Sequence, residues 1–442
     1  MNSVQDLVER LAEEIPTWGH LPAIMRFKRD AVARFGIEEA FRLCQLHLSG
    51  MVPDLDLLRE TRLRGLREAA IASGWQYQEL WRGGERFGRP PLDVVGPGNH
   101  GPLPGLGRSG WLACVPEAVV RSRSAFVRTG NLALLDFEGV EYAQVEDIPQ
   151  FDPAVLHLAG ERAWLMEAES PSLRLEEAFL LTGRNALDFG HWISEYIPRY
   201  MLARLAGLPD NVPVLIDPRV PRTVRDHLES LLPPGGRLIE APHLADVEVS
   251  RLWCAANPEF SAYYPVRMDE SMWSHQGTEA RRIVPLLREW ARVAGADALA
   301  AGPSRLYLAR KPTNTKKRLR NQEQIEAIAR ERGFEVRYPE DYSLAEQIGM
   351  ARNARYVIAP EGSNAMLAFF ARPGARACFL SPPYTLPLVD VNSVLDALGV
   401  DLKVLTGPDF PDPLEAEFCG YWNDYEIHPR FFERELDAWL AG

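Results

Sequence analysis

LYLARKPTNTKKRLRNQ (Leu306–Gln322) and YSLAEQIGMARNARYVIAPEGSNAMLAFFARPGARACFLSPP (Tyr342–Pro383) decide how this chain folds. In the first, the short apolar run through Leu308 reads as a buried strand. A basic loop carrying Arg310, Lys311, Lys316, Lys317 and Arg318 leaves its end. In the second, YVIAP is another buried strand, and Glu361-Gly362-Ser363-Asn364 turns it into the helical pattern NAMLAFFAR. Ligands of open α/β sheets bind beyond the carboxyl ends of the strands, which places Arg310, Lys311, Glu361 and Gly362 at a ligand edge. A guanidinium there can grip phosphate oxygens bidentately. Gly362 lets backbone approach a ligand closely. Ser363 or Asn364 is expected to cap the helix, whose first amides and dipole favour an anion by ~0.3–1 kcal/mol when exposed. Together the two turns suggest a cradle for a phosphorylated ligand. Two plainer readings stay open: a solvated charge run for Lys316 and Lys317, and ordinary helix capping at Ser363-Asn364.

Outward from this stretch, helix and strand alternate from about Ala178 onward. A helix covers Phe189 to Leu205, VPVLID reads as a strand, VPRTVRDHLESLL as a helix and DVEVSRLWCAA as a strand. A helix from about Thr278 to Val293 then leads into SRLYLAR. The helices QEQIEAIARERG and SLAEQIGMARNA, the latter opened by a Ser343–Glu346 capping box, bracket the strand FEVRYP. Such alternation implies mostly parallel sheets covered by helices. Before it, WLACVP, AFVRTG, LALLDFEG, VLHLAG and AWLMEA read as strands of an antiparallel meander or of a strand-rich lead-in to a larger sheet. Half of the 28 residues from Gly83 to Gly110 are Gly or Pro, which predicts a long connection without regular elements. Residues 1–82 read as helical, including VQDLVERLAEEI, AVARFGIEEAFRLCQLHL and LDLLRETRLRGLREAAIA. The resulting division is 1–82, 83–114, 115–270, 271–400 and 401–442.

A third constellation lies on the helix at 189. His191, Glu195 and Arg199 fall four residues apart, so one face carries an imidazole, a carboxylate and a guanidinium. In a cleft, such a base can take a proton from an attacking hydroxyl, an effect worth ~10²–10⁴-fold. A surface ladder of ion pairs with an incidental His accounts for the same spacing. Trp192 would suit stacking on a sugar, and Gln347 could face the cleft.

The 442 residues call for two or three domains, and 46% hydrophobic with 25% charged residues fits a folded globular protein. A net charge of −12 argues against a general nucleic-acid binder. Cys44, Cys114, Cys254, Cys378 and Cys419 are isolated from one another, and support neither a zinc site nor a disulfide framework. No run approaches the ~20 apolar residues of a membrane span. The first residues lack an apolar leader core, so a cytoplasmic protein is expected, with peripheral attachment at an inner membrane left open. The P-loop, GxSxG and HExxH signatures are missing, and no GxGxxG follows a predicted strand.

Read together, these segments resemble glycosyltransferase family 61, which includes plant xylosyl- and arabinosyltransferases, animal O-GlcNAc and O-mannose-extending transferases and bacterial surface-polysaccharide enzymes. A pattern like HW-x-x-D-x-x-PR is matched by His191-Trp192, Glu195 and Pro198-Arg199. A strand ending in Arg310 is followed by Arg318-Leu319-Arg320-Asn321, similar to an R-x-x-N that opens a helix. Gly333-Phe334, Pro339-Glu340 and Glu346-Gln347 come next. Pro360 to Gly374 resembles G-x-H-G-A-x-x-x-N-x-x-F-x-x-P-G, with Phe370, Pro373 and Gly374 in step. Two departures stand out: Glu195 for Asp, and Glu361 where many members carry His.

The resemblance implies a GT-B-like α/β fold, two Rossmann-like domains facing a cleft, with an extra helical N-terminal segment. The acceptor domain would be 115–270, the nucleotide-sugar domain 271–400, and the final helix would pack back across them. It implies an inverting, metal-independent transfer from a nucleotide-sugar, UDP-linked first among them, to a glycan or other hydroxyl acceptor, with no cofactor. Glu195, or His191 oriented by it, would be the base. Arg310, Lys311, Arg318, Asn321, Gln347, Glu361, Gly362, Ser363 and Asn364 would hold the donor, and Trp192 and Arg199 would face the acceptor. A non-catalytic nucleotide-sugar binder or scaffold is the alternative, motivated by Glu361 and the N-terminal helices, which also offer a surface for self-association.

Overall fold

The strand through Leu308 forms at Arg305–Leu308 and lies second in a six-stranded sheet. Across that sheet run Glu335–Arg337, Arg305–Leu308, Tyr356–Pro360, Arg376–Ser381, Asp401–Thr406 and Asp93–Val95, every neighbouring pair parallel. Taken in chain order, the five strands after residue 300 stand second, first, third, fourth, fifth. The order therefore reverses between Arg305–Leu308 and Tyr356–Pro360. At such a reversal the flanking connections leave to opposite faces and open a crevice at the carboxyl ends. The computed structural model describes residues 4–18, 20–53, 55–98, 104–136, 152–183, 185–258, 279–295, 302–311, 317–411 and 423–442. Lys316 and Cys419 lie outside the described residues.

The other sheet, eleven-stranded and contributed by earlier parts of the chain, is the first sheet, and the six-stranded one is the second. The first contains another parallel unit. Its strands Leu238–Glu240, Val214–Ile216, Leu173–Leu180 and Asp246–Ala255 stand third, second, first, fourth, with the reversal between the last two. Asp246–Ala255 then pairs antiparallel with Gly110–Arg121, which carries the strand-rich part onward: Val127–Thr129, Leu132–Leu135, Leu57–Gly65, Arg162–Glu167 and Val155–Ala159. The protein is thus a mixed α/β fold.

One apolar core runs from Leu181, Trp192 and Ile197 at the first sheet to Leu306, Phe369 and Leu395 at the second. Helix Ala280–Val293 packs against both Ile197–Leu205 and Leu388–Leu398, and its Trp290 meets Phe370 edge-on at 4.8 Å. Each large side chain buried there contributes ~1.5–3 kcal/mol of apolar transfer. The helices Val4–Trp18, His20–Phe35 and Ile37–Leu48 form a separate core, with Leu43 and Leu48 beside Leu156, Trp164 and Met166.

Three expectations are corrected. LDLLRETRLRGLREAAIA is not one helix: Leu57–Gly65 is a strand, paired on both sides, and only Leu66–Ala72 is helical. Its inner residues Thr61, Leu63 and Gly65 alternate, so sheet pairing overrides the helical spacing. The Gly/Pro-rich stretch carries three short strands, one of which, Asp93–Val95, closes the edge of the six-stranded sheet. The last helix, Pro429–Ala441, sets Phe432, Leu436 and Trp439 among Tyr307, Ile325 and Phe334. It packs on the second sheet's own unit rather than back across to the first.

Candidate functional site

The helix expected at 189 spans Phe189–Leu205 in three pieces: α from Phe189 to His191, π from Trp192 to Tyr196, and α again from Ile197. Pro198 is the local cause. It has no N–H to give the preceding turn, and the amide of Ile197 reaches back five residues to the Trp192 carbonyl instead. Within the widened turn Glu195 is buried, 4 % exposed. Arg199 Nη2 donates to its Oε1 at 2.8 Å, and His191 Nδ1 lies 3.1 Å from Oε2. A carboxylate only accepts, so a hydrogen bond to Glu195 requires the proton on Nδ1, and in that neutral tautomer the lone pair is on Nε2. The i,i+4 face is therefore a buried carboxylate holding a cation on one side and orienting an imidazole on the other.

Glu195 and Arg199 line a recess of about 600 Å³, counting its open mouth, with Thr182, Gly183, Ala255 and Asn257. Thr182 and Gly183 follow the strand Leu173–Leu180, and Asn257 follows Asp246–Ala255. The recess thus occupies the reversal point of the first sheet, where a ligand crevice belongs.

At the reversal point of the second sheet sit Arg310 and the Glu361–Asn364 turn. Arg310 Nη1 donates to the carbonyls of Lys317, at 3.0 Å, and Glu361, at 3.2 Å. Its Nε and Nη2 have no hydrogen-bond partner among the described residues. Gly362 adopts φ +138° and ψ −166°, a backbone region open essentially to glycine alone. A Cβ there would also stand 3.1 Å from the Arg310 guanidinium. Glu361 does not pair with Arg310 through its side chain. Its buried carboxylate takes Lys317 Nζ at 2.5 Å and the Ser381 hydroxyl at 2.7 Å. Burial pulls the Lys317 ammonium below its ordinary pKa, and Glu361 pushes back.

The two constellations meet. Ser363 donates its hydroxyl to Asp188 Oδ1 at 2.8 Å, and the same oxygen caps the helix that begins at Phe189 through the Gly190 amide at 3.0 Å. Gly190 packs so closely on Ser363 that a Cβ would stand 3.2 Å from its Cα and Oγ.

The remaining candidates are placed elsewhere or otherwise engaged. Trp192 is fully buried, its indole donating to the Ala186 carbonyl at 2.7 Å and lying against Tyr196, so it offers no face to a sugar. Asn321 exchanges hydrogen bonds with Ile427 and fastens the C-terminal segment. Gln347 is buried, donating to the carbonyls of Pro339 and Tyr342, so it does not face the cleft. Lys311 pairs with Asp341, and exposed Arg318 forks onto Asp424. Neither Ser363 nor Asn364 caps a helix: 363–370 is a 3₁₀ helix, and Asn364 donates to the Ala309 carbonyl and to Glu340. Among the described residues no three His, Cys, Asp or Glu side chains gather as a metal would need.

Sequence reasoning missed Asp188, Ser381 and the recess residues Thr182 and Asn257. Asp188 alone had a local signal, an Asp directly before a helix start.

The fold is that of a mixed α/β protein with two parallel strand units. Residues 189–378 match the family model described as Glycosyltransferase 61, so this part of the chain is similar to that family. The matched segment begins at Phe189, where the helix of His191 starts, and ends in the strand Arg376–Ser381, so it contains both constellations. The match supports glycosyltransferase activity. No curated protein matches the chain significantly. No helix of the described residues is long and apolar enough to cross a membrane.

Proposed function

We propose that the protein is an inverting, metal-independent glycosyltransferase of GT-B type, moving a sugar from a nucleotide-sugar, UDP-linked first among them, to a hydroxyl of a glycan or other acceptor. It would act in the cytoplasm, in polysaccharide or glycoconjugate synthesis. The observation that carries this reading is the Asp188–Ser363 contact, which sets the His191–Glu195 pair beside the switch-point turn that holds Arg310.

In this reading the acceptor oxygen attacks the anomeric carbon from the face opposite the leaving group. The new C–O bond forms as the bond to the diphosphate breaks, and the hydroxyl proton passes to His191 Nε2. Glu195 stabilises the imidazolium that results, as an oriented carboxylate does for a histidine base. Arg310 Nε–H and Nη2, with the amides of the Gly362–Ser363 turn, meet the charge that grows on the leaving diphosphate. Protein cations take the part that a divalent ion plays in other transferases.

A panel of nucleotide-sugars, with and without EDTA, tests the reading. Transfer or donor hydrolysis that survives EDTA and disappears in His191→Ala and Arg310→Ala supports it. Binding of a nucleotide without turnover of any donor moves the protein to the non-catalytic alternative. Equal rates in wild type and both variants show that these residues do not carry the reaction.

A further inference from the structure

Glu361 is the residue that the donor reading left in difficulty, since a carboxylate beside a diphosphate repels it. The structure removes the difficulty and gives the residue a task. Lys317 and Glu361 contact each other through their side chains, Nζ to Oε1 at 2.5 Å, and both contact Arg310 through their carbonyls. Lys317 adopts φ +52°, a left-handed conformation that is uncommon for a residue with a side chain. Both partners are nine-tenths or more buried, and Ser381 satisfies the second carboxylate oxygen at 2.7 Å. The pair is therefore neutral as a unit, and its geometry turns two carbonyls toward one guanidinium nitrogen.

We propose that Lys317 and Glu361 are positioning residues for Arg310. Their ion pair closes a clamp that fixes the guanidinium at the switch point, with Nε and Nη2 presented to an anionic oxygen. The inference rests on the donor-binding reading above. The acid at Glu361 comes with its own buried counter-ion, so the crevice keeps the charge of Arg310 undiminished. Sequence reading left Lys317 between a ligand contact and a solvated run because nothing local distinguishes it from Lys316.

The test is calorimetric titration of UDP into wild type, Lys317→Met/Glu361→Gln, Arg310→Ala and the triple variant. The double variant removes one charge of each sign, so it leaves net charge unchanged and no buried ion unpaired. It is expected to bind UDP at least tenfold more weakly than wild type. The triple variant is expected to bind no more weakly than Arg310→Ala alone, since the clamp acts only through that residue. Ser381→Ala, a smaller change that frees one oxygen of Glu361, should weaken UDP about threefold, and have no effect once Arg310 is gone. It keeps the test in hand if the double variant fails to fold. Wild-type affinity in the double and Ser381→Ala variants overturns the clamp, as do losses that multiply in the triple variant. A wild type that binds no UDP or other nucleoside diphosphate overturns the donor reading itself, and the clamp with it.

Discussion

Ser363 and Asp188 stand 175 residues apart in the chain and 2.8 Å apart in space. The first belongs to the turn that follows Gly362, the second caps the helix of His191, Glu195 and Arg199. One carboxylate oxygen serves both contacts, so a shift in the turn is felt at the first residues of the helix.

This junction predicts a coupling. A hydrogen bond to a charged acceptor contributes ~1.5–3 kcal/mol, and loss of an N-cap ~0.5–2. Ser363→Ala should lower stability by about 1 kcal/mol and Asp188→Ala by about 2. The double variant should lose clearly less than the sum, because Asp188 has already surrendered the contact. Denaturant unfolding of the four proteins measures it, and strict additivity would sink the claim.

The base assignment predicts unequal losses along the helix face. His191→Ala should reduce kcat by ~10²–10⁴, with the KM for donor little changed. Glu195→Gln should cost less in kcat, since the ring survives, but more in stability, because the buried Glu195 carboxylate and its ion pair with half-buried Arg199 are lost. Steady-state kinetics and melting curves separate the two. A larger kcat loss for Glu195→Gln would make Glu195 the base instead.

How much of this was open to a reader of the sequence depends on how local each cause is. The strand ends at Arg310 and Gly362 were legible because short apolar runs followed by a glycine or basic turn have few other readings. The helix face was legible because i,i+4 spacing is a property of the chain itself. Trp192 was not: the same helix has an apolar side, and burial against Ala186 and Tyr196 depends on which side the sheet covers. Leu57–Gly65 was misread because its pairing partners, Leu132–Leu135 and Arg162–Glu167, lie about 70 to 110 residues away. Lys317 looked like its neighbours until the fold supplied Glu361. Sheet order, which places both crevices, is invisible to periodicity altogether.

Gly362 predicts a sharp sensitivity. Alanine there must hold φ +138° and bring a methyl to 3.1 Å from the Arg310 guanidinium. The backbone conformation costs ~1–3 kcal/mol for a side-chain-bearing residue. Displacement of Arg310 should also weaken nucleotide binding about tenfold or more. Gly374 has φ +84° but nothing within 4 Å of its missing Cβ, so Gly374→Ala should destabilise without touching affinity. Titration calorimetry of the two variants decides it: equal affinities would show that the Arg310 contact is incidental.

A last prediction concerns acid. His227 lies buried between the helix Arg222–Leu231 and Trp290, whose indole N–H donates to its Nε2 at 2.6 Å. That bond requires the lone pair, so protonation would break it and leave a charge in the core. Burial accordingly lowers the His227 pKa from 6.5 to about 4. Between those values the unfolded chain binds a proton that the native protein refuses, so stability falls as pH drops from 6.5 and the loss is complete below about 4. The gap corresponds to roughly 3 kcal/mol. His227→Gln keeps an acceptor for Trp290 but does not titrate. Its stability relative to wild type should therefore rise steadily as pH is lowered from 7 to 4, by up to that amount. Chemical denaturation at a series of pH values reads the difference directly, and a constant difference across the range would show that His227 is not the group responsible.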